Sequence, residues 1–165
     1  MTIGFILNGE DVVIRSNPNI RLIDILRSEF GLLGAKAGCL TGKCGFCAVI
    51  FNGSVIHACL IPAFRLQGSE IITIEGFSEG FPLDDEYQDI VTGFAEAKVQ
   101  NCGFCNTAVI LNAVALLIKN ERPSRQEILS AFRGVKCRCT DLDKLEEGVQ
   151  KAFEIRQRRL YGRST

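Results

Sequence analysis

The chain has 165 residues, 47% of them hydrophobic, which is enough to bury a real core in one domain or two small ones. Lysine plus arginine and aspartate plus glutamate both number 19, which excludes the overall basic field that drives nucleic-acid binding. No window holds the roughly 18 to 20 apolar residues that cross a bilayer, and no signal segment opens the chain, so we expect a cytoplasmic protein without a membrane partner.

The first elements are a predicted β-hairpin and a helix. Two apolar runs within residues 3–15 are separated by Asn8-Gly9, a pair that suits the tight turn between two strands. A helix is predicted next, because apolar residues then recur at helical spacing until Gly31 and Gly34. These apolar residues are Leu22, Ile23, Leu26 and Phe30.

Three more strands complete the first half. Residues 46–51 and 54–58 flank Asn52-Gly53, which predicts a second hairpin. Residues 71–74 form a further apolar run rich in isoleucine, which is typical of a strand. This half of the chain is therefore predicted to be an α+β unit.

A surface linker is predicted over residues 76–85, because that stretch is rich in glycine, proline and acidic residues. We place the domain boundary within it, with one domain over residues 1–77 and another over residues 78–165. Beyond the linker the apolar period becomes helical, which predicts a small helical bundle. Its predicted helices cover residues 90–97, 108–119, 125–133 and 142–156.

Two helix starts in the second half carry capping signals. Ser124 and Glu127 have the spacing of a capping box at the third helix of the bundle. Thr140 and Asp143 are predicted to start the fourth helix in a similar way.

The first of two cysteine sets has the plant-type ferredoxin spacing, C-x4-C-x2-C followed by a distant fourth cysteine. Its members are Cys39, Cys44, Cys47 and Cys59. A loop around a [2Fe–2S] cluster must present three thiolates while its backbone N–H groups face the sulfur atoms. Gly38, Gly42 and Gly45 permit such a path, because glycine tolerates positive φ and close backbone approach.

The second cysteine set consists of two short pairs separated by two predicted helices. The pairs are Cys102 with Cys105 and Cys137 with Cys139. Each lies at a helix boundary, where the positive end of the helix dipole stabilises thiolates. Four thiolates from two helix ends can hold one cluster.

Eight cysteines also have uses other than iron–sulfur clusters. Zinc sites made of four cysteines are an alternative, mainly for the second set, because C-x2-C is common in them. A reducing compartment disfavours disulfides. His57 is the only histidine, which excludes a Rieske centre, since that needs two histidines, and disfavours catalytic cysteine chemistry.

Two further features have a functional and a structural interpretation. His57 precedes Cys59 by two residues, so on a continuous strand it lies on the same face; it either tunes a cluster or simply packs. The basic C-terminal residues are predicted to be a solvated helix end, with docking to a partner as the alternative. They are Arg156, Arg158, Arg159 and Arg163.

Both cysteine sets in this order make the chain resemble the small iron–sulfur subunit, or N-terminal region, of molybdenum hydroxylases such as xanthine dehydrogenase, aldehyde oxidoreductase and nicotinate dehydrogenase. The resemblance implies a plant-ferredoxin-like β-grasp domain followed by a helical-bundle domain, each with one [2Fe–2S] cluster. It also implies two partners, a molybdopterin-binding large subunit and an FAD-binding subunit. Electrons would then pass from molybdenum to the Cys102 set, to the Cys39 set and on to FAD.

The sequence departs from the family pattern near the second set. Asn101 stands where the family usually has a glutamine that contacts the pterin, and Asp141-Leu142 replaces the usual Gly-Tyr. By resemblance, Asn101 and Cys139 are candidates for contact with the molybdopterin cofactor. A free-standing two-cluster ferredoxin is the alternative function that these departures leave open, and a zinc-stapled interaction module without redox function is a third.

Overall fold

The computed structural model describes residues 1–77, 81–100 and 102–162. Its five strands are β1 (Thr2–Leu7), β2 (Glu10–Arg15), β3 (Ala48–Phe51), β4 (Ser54–His57) and β5 (Glu70–Ile72). They form one sheet in the order β2-β1-β5-β3-β4, in which only β1 and β5 pair in parallel. A mixed sheet combined with helices confirms the predicted α+β class.

The first hairpin forms where it was predicted. Thr2 pairs with Arg15 at the open end and Leu7 with Glu10 at the turn. The turn residues Asn8 and Gly9 have φ values of 52° and 84°, a conformation that asparagine and glycine tolerate best. The predicted helix that follows is α1 (Leu22–Ser28), whose buried residues join the core beneath the sheet.

The second hairpin is also confirmed, with Asn52 and Gly53 at positive φ in its turn. Strand β4, however, ends at His57, and Cys59 lies in a 3₁₀ turn over Ala58–Leu60. The prediction that His57 and Cys59 share a strand face is therefore wrong, because alternation of faces ends with the strand. Strand β5 is shorter than predicted, since another 3₁₀ turn, over Ile74–Gly76, follows it.

Four further α-helices follow the sheet: α2 (Asp84–Glu96), α3 (Asn106–Lys119), α4 (Arg125–Phe132) and α5 (Leu142–Tyr161). All four were predicted, but α2 begins six residues earlier than expected, within the predicted linker. Its first turn carries Asp84, Asp85 and Glu86, which the positive helix terminus stabilises. Residues 78–80 of the predicted linker lie outside the described residues, and the boundary between residues 77 and 78 stays a prediction.

The capping predictions had different outcomes. Ser124 and Glu127 form the reciprocal capping box at the start of α4, as predicted. Helix α5 is capped by Asp141, whose carboxylate accepts a hydrogen bond from the backbone N–H of Lys144 at 2.7 Å. The prediction of Thr140 as this cap is therefore wrong, because the aspartate one position later has a carboxylate that reaches the free N–H groups.

An ion-pair network joins α5 to α2. Arg159 binds Asp89 at 2.7 Å and Asp85 at 2.8 Å, while Arg156 binds Glu86 at 3.4 Å. Arg156 also donates to the carbonyl of Leu117 at the end of α3. Asp89 is only 4% exposed at its side chain, so its charge needs this partner.

The predicted solvated arginine tail is therefore wrong for Arg156 and Arg159, whose spacing places them on the helix face that packs on α2. It is correct for Arg158, which is 74% exposed and reaches only Glu154. Arg163 lies outside the described residues.

A small apolar cluster joins the sheet to the helices. Ile50 and Ile72 of the sheet pack against Leu111 and Ala115 of α3. This cluster packs the middle of α3 against the sheet; Cys105 is the N-cap residue of the same helix. Among the described helices, none is both long and apolar enough to cross a membrane.

Candidate metal centres

The first cysteine loop wraps around the sulfur atom of Cys39. Backbone N–H groups of Thr41, Lys43 and Cys44 lie 3.4, 3.2 and 3.3 Å from this sulfur. The N–H of Cys39 in turn faces the sulfur of Cys44 at 3.4 Å. Positive φ at Leu40, Gly42 and Gly45 turns these amides inward, as predicted for the two glycines. Gly38, the third glycine of the prediction, has no positive φ but allows close approach, since a β-carbon there would lie 2.9 Å from the sulfur of Cys44.

This ring of donors changes the acidity of the thiol. Hydrogen bonds, first of all from Thr41, lower the pKa of Cys39 to about 6. The donors stabilise the thiolate, which is the form that binds metal. The first loop is thus arranged to hold negative charge on sulfur.

The other two thiols of the first set lie in the core. Cys47 precedes β3 and Cys59 follows β4, and both are buried. Burial raises the pKa of Cys47 to about 12, and the thiol also hydrogen-bonds with Cys59. The first set therefore consists of an outer pair, Cys39 with Cys44, and an inner pair, Cys47 with Cys59.

The second set lines one cavity of about 510 Å³. Cys105 is the N-cap residue of α3, and its sulfur lies 3.1 Å from that of Cys137. Cys102 and Cys139 hydrogen-bond with each other. The structure thus brings together all four cysteines that the sequence predicted, again as two pairs.

The thiols of each pair in this cavity differ in acidity. Burial raises the pKa of Cys105 to about 12. Burial also opposes ionisation of Cys137, but hydrogen bonds from Cys105 and the backbone lower its pKa overall. The backbone N–H of Phe104 lowers the pKa of Cys102, whereas the hydrogen bond to Cys102 raises that of Cys139.

The two ends of the second site differ in exposure. Cys105 is buried, whereas Cys102 and Cys139 are exposed at the protein surface. Lys136 and Arg138 flank Cys137 and also line the cavity, so the exposed end carries positive charge. Asn101, the predicted pterin contact next to Cys102, lies outside the described residues.

Both donor sets fit a two-iron cluster. A [2Fe–2S] cluster takes four cysteine thiolates, two on each iron, and both sets consist of two thiol pairs. All eight cysteines are described, and no disulfide joins any of them. Within the described ranges, no group of three or more His, Cys, Asp or Glu side chains could hold a single metal ion.

Sequence reasoning missed the contact between the two sites. Cys44 and Phe46 of the first loop line the cavity of the second set, beside Phe104. The tetrapeptide Cys-Gly-Phe-Cys occurs at residues 44–47 and again at 102–105, and this repeat could have drawn attention to both phenylalanines. His57 faces the same region, since its ring nitrogen lies 3.9 Å from the position of a β-carbon on Gly134.

Comparison with known proteins agrees with this pattern of donors. Residues 5–71 match the family described as "2Fe-2S iron-sulfur cluster binding domain", and residues 73–150 match the family described as "[2Fe-2S] binding domain". The small FeS subunit of nicotinate dehydrogenase from Eubacterium barkeri is 43% identical over 154 residues, covering 93% of this chain and 96% of the relative.

Two other relatives span nearly the same length. The iron–sulfur-binding subunit of xanthine dehydrogenase from Escherichia coli O157:H7 is 36% identical over 142 residues, covering 85% of this chain and 86% of the relative. The crystal structure of quinoline 2-oxidoreductase from Pseudomonas putida 86 includes a chain that superposes with a TM-score of 0.82 at 33% identity. That match covers 96% of both chains.

Proposed function

Since this chain belongs to the family of small [2Fe–2S] subunits of molybdenum hydroxylases, we propose that it carries electrons between the molybdenum and flavin subunits of such a complex. The observation that supports this most directly is the presence of two paired, four-cysteine sets that adjoin each other within one chain. The hydroxylation of substrate belongs to the molybdenum subunit, so this chain turns over no substrate alone.

We assign four cysteine ligands to each cluster. The first cluster is held by Cys39, Cys44, Cys47 and Cys59. The second is held by Cys102, Cys105, Cys137 and Cys139. The paired arrangement of the thiols supports this assignment, because each pair supplies the two sulfurs that one iron requires. The family matches and the pairing favour iron–sulfur clusters over zinc at both sets.

The chain's own residues prepare each site for a negatively charged group. In the first loop, three backbone N–H groups donate to the sulfur of Cys39 and so hold its thiolate in place. In the second site, Lys136 and Arg138 place two cations beside the thiols. When bound, the two clusters would supply one-electron redox chemistry. Electrons would pass from molybdenum to the Cys102 set, then to the Cys39 set and on to FAD.

The exposed end of the second site is the proposed contact with the molybdopterin-binding subunit. Cys102 and Cys139 lie at the surface there, so a cofactor on a partner could approach them closely. Cys139, together with Asn101, is proposed to contact that cofactor. Residues 1–77 are proposed as the ferredoxin-like β-grasp domain, which faces the FAD-binding subunit, and residues 78–165 as the helical domain. A cytoplasmic location is part of the same proposal.

Purification of the tagged chain from its native host tests this function. We expect two larger proteins to co-purify, one with molybdenum and a pterin and the other with FAD. A chain that holds iron but elutes alone, without either protein, would contradict the proposed complex and support a free-standing ferredoxin.

A further inference from the structure

The first cysteine loop forms part of the wall of the second site. The cavity that holds the four cysteines of the second set is also lined by Cys44 and Phe46. The two cysteine sites are therefore in contact, because Cys44 and Phe46 of the first loop also border the second site.

Two phenylalanines from the repeated Cys-Gly-Phe-Cys tetrapeptide meet at this border. The rings of Phe46 and Phe104 lie edge to face, with centroids 5.3 Å apart and an interplanar angle of 88°. This is a favoured geometry for an aromatic pair, since the positive edge of one ring meets the negative face of the other. Each ring is one residue from a cysteine of its own set.

Next to Phe46, the backbone of the first loop also closely approaches the backbone of the helical half. A β-carbon at Gly45 would lie 2.4 Å from the carbonyl oxygen of Gly134, so only glycine allows this approach. The N–H of Lys136 donates to the carbonyl of Cys44 at 2.9 Å. The ring of Phe46 also lies over Gly38, where a β-carbon would be 2.8 Å from it. The side chain of Phe46 thus contacts both its own loop, at Gly38, and Phe104 of the second set.

From these contacts, we propose that the Phe46–Phe104 contact fixes the two cysteine sites at one separation and orientation, and thereby sets the coupling between the two clusters. Both phenylalanines are positioning residues, since they touch the ligand-bearing loops but donate no atom to a metal. The part of this inference that concerns clusters rests on the proposed function, whereas the mechanical part does not.

The Lys136 amide reports on the mechanical part, because its hydrogen bond crosses the contact. We would measure its hydrogen exchange by mass spectrometry in the full-length holoprotein and in Phe46→Ala and Phe104→Ala. We expect each variant to exchange at least about 2-fold faster at Lys136, the lower limit for loss of one aromatic pair, because alanine also removes the apolar area that each ring buries. The double variant should exchange less fast than the product of the two single increases predicts, because both substitutions remove the same Phe46–Phe104 contact.

The magnetic interaction between the two reduced clusters reports on their separation. We expect its splitting in the EPR spectrum to weaken in both alanine variants. Phe64→Ala is the matched control, because Phe64 is 51% exposed, close to the 48% of Phe104, but does not line the second site. It should leave both the exchange at Lys136 and the EPR splitting unchanged.

Two results are decisive against the inference. Wild-type exchange at Lys136 in both iron-loaded alanine variants would overturn it, as would an unchanged EPR splitting. If the alanine variants lose iron, Phe46→Leu and Phe104→Leu replace them, because leucine keeps most of the side-chain volume but lacks the ring edge. Hydrogen exchange at Lys136 and the EPR splitting are then compared with the wild type in the same way. A wild-type protein without iron would contradict the proposed function instead, so the two failures are distinguishable.

Discussion

The two cysteine sites reach similar donor sets by different means. In the first, Cys39, Cys44 and Cys47 lie within nine consecutive residues, and the loop supplies its own N–H donors to sulfur. In the second, Cys105 and Cys137 are 32 residues apart and meet only because α3 and α4 bring them together. Local sequence therefore organises the first site, whereas tertiary packing organises the second. Substitutions in each region, from the largest expected effect to the smallest, test that difference.

The largest effect is expected from Cys105→Ser. Cys105 is the buried cap of α3, so loss of the second cluster removes the group that joins two segments of the helical bundle. We expect destabilisation of more than about 4 kcal/mol, the range in which loss of a metal site is diagnostic. Circular dichroism should show loss of much of the helical signal at room temperature. A fully helical variant without the second cluster would contradict this account.

Cys39→Ser is expected to have a more local effect. Cys39 is a better choice than Cys44, because Cys44 also lines the second cavity. The sheet should persist, since its core is a large apolar cluster of its own. We expect iron to fall from about four to about two atoms per chain, with only the second EPR signal left. Loss of all iron would show that the second site depends on the first.

Gly45→Ala tests the close approach between the two halves. A β-carbon there would collide with the Gly134 carbonyl, and the φ of 78° is strained for alanine. We expect a loss of about 2–4 kcal/mol in thermal unfolding. Gly53→Ala is the matched control, because Gly53 has φ 73° and no atom lies within 4 Å of the position its β-carbon would take. The control should lose only about 1–2 kcal/mol, and equal losses would contradict the close contact.

A smaller effect is expected from Arg159→Met in the helical half. This change leaves the buried carboxylate of Asp89 without its charged hydrogen-bond partner. We expect a loss of about 1.5–3 kcal/mol, measured by chemical denaturation. Arg158→Met, one residue away, should change stability by less than about 0.5 kcal/mol, because its ion pair is exposed. Similar losses in both variants would show that the network does not stabilise the packing of α5 on α2.

The predictable part of the fold follows the same division between local and tertiary structure. Both hairpins could be predicted because Asn8-Gly9 and Asn52-Gly53 determine the conformation of their own turns. The capping box of Ser124 is equally local. The early start of α2 was missed because its first turn is acidic and has few apolar residues to show a period. The buried pairing of Arg156 and Arg159 was missed because it depends on a helix about 70 residues away.

The two cysteine sites could likewise be predicted only where local sequence determines them. The spacing of Cys39, Cys44 and Cys47 predicted a loop that the structure shows wrapped around sulfur. The sequence suggested that the four cysteines of the second set form one site. No sequence pattern paired Cys105 with Cys137, however, because that contact depends on helix packing. The contact of Phe46 with Phe104 needs both halves in place, so no local pattern could specify it.

An EPR-monitored reductive titration of the isolated holoprotein tests the central claim most directly. Two [2Fe–2S] clusters predict two distinguishable signals that integrate to about two spins per chain, one for each four-cysteine set. A colourless protein that contains zinc and shows no signal on reduction would contradict the claim, as would a single signal of one spin.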